Sequence, residues 1–90
     1  MNTILIPEQL RKLIGGQKVL ILELKNITEL IDRLSSDYPN VKKRLINKNG
    51  EFNRFVNVYV NGEDIRFLEN TATKLKDGDE ISIVPAIAGG

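Results

Sequence analysis

Two glycines, Gly89-Gly90, close the sequence after Val84-Pro85-Ala86-Ile87-Ala88. A free glycine carboxylate is a poor electrophile. It becomes reactive on gaining a leaving group, as in a mixed anhydride with AMP, and that step requires the terminus to enter another protein's ATP site. Glycine has no Cβ and reaches backbone angles closed to other residues, so it passes a narrow channel and allows close backbone approach. Pro85 withdraws a ladder donor. Residues 86–90 are therefore expected to project as a flexible tail from a body spanning residues 1–85. Ala88 and Gly89 would thread into a partner, and Gly90 would be the point of covalent attachment. The plain alternative is a frayed end that finishes in glycine by accident. At about 7% average glycine usage, two in succession occur roughly 0.5% of the time, so the ending alone leaves both readings open.

Elsewhere the side chains offer little chemistry. The chain has no cysteine and no histidine, which removes thiol nucleophiles, imidazole bases, disulfides and Cys/His zinc sites. No metal site is expected, and the lack of disulfides fits a reducing compartment. The carboxylates Glu8, Glu23, Glu29, Asp32, Glu51 and Glu69 form no convincing acid–base pair. At 90 residues the chain makes one small domain. Such a domain buries roughly 60–65% of the surface its unfolded chain exposes, which leaves little room for a deep substrate cavity. An enzyme in its own right is therefore disfavoured.

A net charge of +1 gives no electrostatic case for nucleic acid. The densest basic run, Lys42-Lys43-Arg44 followed by Lys48, reads as a solvated helix face, with a docking patch for an acidic partner as the sharper alternative. The longest apolar stretch, Val19-Leu20-Ile21-Leu22, is far too short to span a membrane. Met1-Asn2-Thr3 lacks the features of a signal peptide. A cytoplasmic protein is expected.

The elements that would carry the tail follow from periodicity. Thr3-Ile4-Leu5-Ile6-Pro7 is β-branched and apolar and ends at proline, which predicts a strand. Glu8 to Lys18 reads as a connection with a short helical turn before Gly15-Gly16. Val19 to Leu24 is a second strand, most economically an antiparallel partner of the first. Asn26, with Glu29 three residues on, is a variant capping box. Ile27, Leu30, Ile31, Leu34 and Tyr38 then form one apolar helical stripe that Pro39 stops. A short second helix is expected from Val41 to Ile46, with Val41 and Leu45 on one face. Arg54 to Val60 alternates, with Val56, Val58 and Val60 on one side and Phe55, Asn57 and Tyr59 on the other. Asn61-Gly62 signals a type I′ hairpin returning through Glu63 to Arg66. A loop from Phe67 to Lys76, with a helical turn at Thr71 to Leu75, and the tight turn Asp77-Gly78-Asp79 lead to the last strand, Glu80 to Pro85. This order predicts an α+β fold, a mixed sheet of about five strands packed on one main helix plus a short second helix. If the last strand returns beside the first, the arrangement is a β-grasp.

The segment Arg54-Phe55-Val56-Asn57-Val58-Tyr59-Val60-Asn61-Gly62-Glu63-Asp64-Ile65-Arg66-Phe67, the turn Lys76-Asp77-Gly78-Asp79-Glu80 and the ending Val84 to Gly90 together resemble the MoaD/ThiS family of ubiquitin-like sulfur carriers. The resemblance covers essentially the whole chain. The loop Gly15-Gly16-Gln17-Lys18 and the ending are most similar to the branch serving thiocarboxylate-dependent cysteine biosynthesis. The resemblance implies a cycle. An E1-like adenylyltransferase of the MoeB/ThiF type, using ATP, activates Gly90, and a sulfur donor converts it to a thiocarboxylate. In the cysteine branch, an activated serine derivative on a PLP-dependent cysteine synthase receives the sulfur. A JAMM-type zinc peptidase then releases the product. In a MoaD-like branch the acceptor is a pterin precursor held by the large subunit of molybdopterin synthase. The carrier would be a monomer when free and would hold no cofactor of its own. Two other readings stand beside it: a ubiquitin-like modifier joined through Gly90 to a lysine, and a β-grasp interaction module with an inert tail.

Partner contacts are expected on the sheet face away from the helix, where alternation places Phe55, Tyr59 and Val84. The alternative is that the Phe67–Lys76 loop or arginine stems cover them. Phe67 and Leu75 are expected as satellite core beneath that loop. Arg54 and Arg66 are expected either to meet acidic partner residues or to pair with Glu63 or Asp64, where such surface pairs matter little.

Overall fold

A computed structural model describes residues 1–85; the expected tail, with Ala88, Gly89 and Gly90, lies outside them. The described elements are β1 (Asn2–Leu5), α1 (Glu8–Arg11), β2 (Val19–Leu22), α2 (Ile27–Asp37), α3 (Pro39–Leu45), β3 (Val56–Val60), β4 (Glu63–Asp64) and β5 (Glu80–Pro85). Single 3₁₀ turns occupy Lys12–Ile14, Ile65–Phe67 and Asn70–Ala72. The sheet order is β2-β1-β5-β3-β4. Within it, β1 runs antiparallel to β2 and parallel to β5, and β5 runs antiparallel to β3. The last strand thus returns beside the first, and the mixed sheet closes over one face of α2. This is the β-grasp.

The core forms where two periodicities meet. Ile27, Leu30, Ile31 and Leu34 bury the apolar stripe of α2. They face Ile4, Leu20, Val56, Val58, Val60, Ile81 and Ile83, the inward positions of four strands, as alternation requires. Asn26 caps α2: its side chain accepts the Glu29 N–H at 2.8 Å. The Glu29 carboxylate closes the other half of the box one residue earlier than the usual pattern, accepting the Lys25 N–H at 2.7 Å. Asn26 itself bridges to Lys74.

Several boundaries differ from expectation for identifiable reasons. Pro39 ends α2 but opens α3, sitting at its first position, where a missing N–H costs nothing and φ is already helical. The hairpin after Asn61 (φ +52°) and Gly62 (φ +87°) has the positive φ at both central residues that a type I′ turn needs. Its return strand nevertheless stops at Asp64, not Arg66. The Asp64 side chain accepts the Arg66 N–H and diverts the chain into a 3₁₀ turn. Leu75 joins the core, but Phe67 does not: it is 82% exposed. The same 3₁₀ turn that buries Ile65 leaves Phe67 pointing away.

Candidate functional site

The site is organised by β5, because Pro85 is the last described residue before the diglycine segment. β5 lies between β1 and β3. Its pairing with β1 runs from Thr3↔Glu80 to Leu5↔Ser82, whereas its pairing with β3 continues to Val56↔Pro85. β1 stops first because the chain turns away at Pro7, which opens α1. The last residues of β5 are therefore held by β3 alone. Beside them lies a shallow groove lined by Leu5, Pro7, Arg11, Val84 and Pro85. Arg11 is oriented there by its Nε, which donates to the Ile6 carbonyl at 3.1 Å.

The sheet face away from α2 carries Thr3, Leu5, Ser82, Val84, Asn57 and Tyr59. Register sets Val19, Leu5, Ser82 and Tyr59 in one row and Asn57 beside Val84. Tyr59 and Val84 are therefore diagonal neighbours, and Tyr59 is half-buried while Val84 is exposed. Phe55 precedes β3 and lies outside the strand that was expected to include it. It is exposed, and the Arg54 guanidinium sits over its ring at 5.4 Å from the centroid, a cation–π arrangement. The 67–76 loop does not cover Phe55 or Val84.

Sequence reasoning missed two residues of this face, Val19 and Ile21, which are exposed on the edge strand β2. A usable signal was present. Val19-Leu20-Ile21-Leu22 is apolar at every position, and a strand with one buried face must turn alternate side chains outward.

Of the two arginines, Arg66 is engaged within the chain. Its Nη2 and Nε donate to Asp64 at 2.8 and 3.2 Å, and Nη2 also donates to Asn57. The guanidinium hydrogen bond, then the Arg66 backbone N–H, hold the Asp64 carboxyl below the usual carboxylate range, and the pairing raises Arg66. With the guanidinium half exposed, the pair contributes little to stability; it fixes the chain beyond β4. The Lys42-Lys43-Arg44 run is exposed on α3. Among the described residues no group of three or more acidic side chains is placed to hold a metal ion, and no helix is long and apolar enough to cross a membrane.

Comparison with known proteins gives concordant results. The family model described as "ThiS family" matches residues 4–90. The sulfur carrier protein CysO of Mycobacterium tuberculosis is 41% identical over 90 residues, covering 98% of this chain and 97% of that protein. Small archaeal modifier protein 3 of Haloferax volcanii is 38% identical over 78 residues, covering 83% of this chain and 84% of that one. Among solved structures, the Amycolatopsis orientalis BexX/CysO complex contains a chain that superposes with a TM-score of 0.89 at 40% identity, with complete coverage of both chains.

Proposed function

Because this chain belongs to the ThiS family and is a sulfur carrier protein of the CysO type, we propose that Gly90 carries sulfur as a thiocarboxylate. The observation that carries the reading is similarity to CysO along essentially the whole chain, with the family match extending through the diglycine.

The chemistry balances without any side chain of the carrier. A Gly90 carboxylate oxygen attacks the α-phosphorus of ATP in an E1-like adenylyltransferase, and pyrophosphate leaves. A donor of sulfide-level sulfur (HS⁻ or its equivalent) then attacks the acyl carbon, and AMP leaves, with no change of oxidation state. The thiocarboxylate sulfur, ionised at neutral pH, attacks the acceptor. For a CysO-type carrier that acceptor is an activated serine derivative on a PLP-dependent cysteine synthase, with a zinc peptidase releasing the product. Sulfur rides on the terminal carbonyl, so a chain without cysteine can transport it. The carrier acts as co-substrate, and catalysis belongs to its cytoplasmic partners. Residues 1–85 form the recognition body and residues 86–90 the segment that enters the partner, with Ala88 and Gly89 in the channel. Val84 lies at the root of that segment, Tyr59 is its diagonal neighbour and Phe55 stands just before β3, and the three form the proposed contact face. Tyr59→Ala or Val84→Ala should raise the activating enzyme's KM with the fold intact; an unchanged KM for both removes the face.

The test of the main reading is intact mass. Incubation with the activating enzyme, ATP and a sulfur donor should add the mass difference of one sulfur for one oxygen, and deletion of Gly90 should abolish it. The likeness to a small archaeal modifier favours a second reading, conjugation of Gly90 to lysine. That reading predicts higher-mass species that survive reducing agent.

A further inference from the structure

The net charge of +1 conceals a separation along β5. At the Pro85 end, α1 and its 3₁₀ turn, α3, and the segment leading into β3 carry seven Lys or Arg residues against two acids, Glu8 and Glu51. These elements are joined. Arg11 lines the groove with Val84 and Pro85, and the 3₁₀ turn holding Lys12 packs on α3. Asn53 donates through its backbone N–H to the Leu45 carbonyl and through Nδ2 to the Arg44 carbonyl, which sets Arg54 beside the C-terminal turn of α3. Among the described residues none of Arg11, Lys12, Arg44 and Arg54 lies in an ion pair. At the Glu80 end, the turns 61–63 and 76–80 meet through hydrogen bonds from the Asn61 N–H to the Glu80 carbonyl and from Asn61 Nδ2 to the Asp79 carboxylate. They carry Glu63, Asp77, Asp79 and Glu80 against Lys76 alone.

We propose that the cationic collar of Arg11, Lys12, Arg44 and Arg54 docks on an acidic rim around the channel of the protein that receives the tail. This rests on the reading of Gly90 as the activated end. A charged rim of this kind acts chiefly on encounter rate and orientation. A protein partner is favoured over nucleic acid because the acidic end would repel a long polyanion and the collar lies at the Pro85 end of β5, where Arg11 lines the groove with Val84 and Pro85.

The test is ATP–pyrophosphate exchange with the E1-like adenylyltransferase of the same organism at rising NaCl. Arg44→Glu/Arg54→Glu should raise the carrier's KM about tenfold with kcat unchanged. The difference should shrink toward ~1 M salt, where the Debye length is about 3 Å. Glu63→Lys/Glu80→Lys at the opposite end should leave KM unaffected, and amide NMR spectra confirm that both variants fold. An unchanged KM in the first variant, or an equal rise in both, overturns the collar. Absence of exchange with the unaltered carrier refutes the Gly90 reading instead. The collar is then decided by NMR titration with poly-L-glutamate, where salt-sensitive shifts centred on Arg11, Lys12, Arg44 and Arg54 support it and evenly spread shifts overturn it. Tighter binding of a duplex DNA oligomer than of poly-L-glutamate would overturn the assignment to a protein partner.

Discussion

Asn2 is a polar residue inside the fold, only 2% exposed, and its side chain joins two connections that no strand pairing reaches. Nδ2 donates to the Lys76 carbonyl at 2.7 Å, and Oδ1 accepts the Leu24 N–H at 3.0 Å. One amide thereby ties the start of β1 to the approach to α2 and to the turn before β5. Asn2→Ala leaves a backbone donor and a backbone acceptor without partners. At about 1–3 kcal/mol for each unsatisfied group, the loss is about 2–6 kcal/mol. That is a large share of the ~5–15 kcal/mol typical of a whole domain, and it should lower Tm by at least about 8 °C. Urea denaturation followed by far-UV circular dichroism should show a lower midpoint at unchanged m. Asn2→Asp keeps the acceptor but sets a carboxylate against the Lys76 carbonyl. Burial and that carbonyl raise its pKa in the folded state, so its deficit relative to the parent should narrow as pH falls through the raised value. A loss below about 0.5 kcal/mol for Asn2→Ala would refute the reasoning, because water would then be satisfying both groups.

Three further outcomes are expected. Ile81→Ala, at a fully buried position in β5, should cost about 2–5 kcal/mol in urea denaturation. Gly62 has φ +87° and open space where a Cβ would stand, so Gly62→Ala should cost only the left-handed backbone strain, about 1–2 kcal/mol in the same assay. The Asp79 carboxyl is held below its ordinary value of 3.8, first by the Lys76 N–H and then by the Asn61 side chain. A depressed acid stabilises the fold above its unfolded value and loses that contribution as pH falls through the folded value. The stability gap between the parent and Asp79→Asn should therefore hold above about pH 5 and shrink as pH falls through 3.8 and on through the lowered folded value; a gap independent of pH would show that the charge is not involved.

The fold was legible wherever pattern and propensity agreed. The valines of β3 and the stripe of α2 each declared their period, and Asn61-Gly62 declared the hairpin between β3 and β4. It was less legible where one side chain outvoted a pattern. Nothing in the spacing of Glu63 to Arg66 reveals that Asp64 will accept the Arg66 N–H and end a strand after two residues. The exposure of Phe67 comes from the same event. Pro39 is a breaker in one helix and an opener in the next, a distinction decided by the helix-forming run from Asn40 to Leu45. Tyr59 and Val84 were found because alternation fixes the outward side of β3 and β5. Val19 and Ile21 escaped because their strand has no polar residue to mark that side. The charge separation was invisible to net charge and appears only when topology brings α1, α3 and the approach to β3 to one end.

The position of β5 has a mechanical consequence. A tension applied through Pro85 and directed along the strand meets hydrogen bonds to β1 on one side and β3 on the other. Those bonds run across the direction of pull on the β3 side and slantwise to it on the β1 side, so they are loaded together in shear and cannot open one at a time as a hairpin peels. A pull on Pro85 along the strand is therefore met by the ladder as a whole, and the body resists it without unravelling.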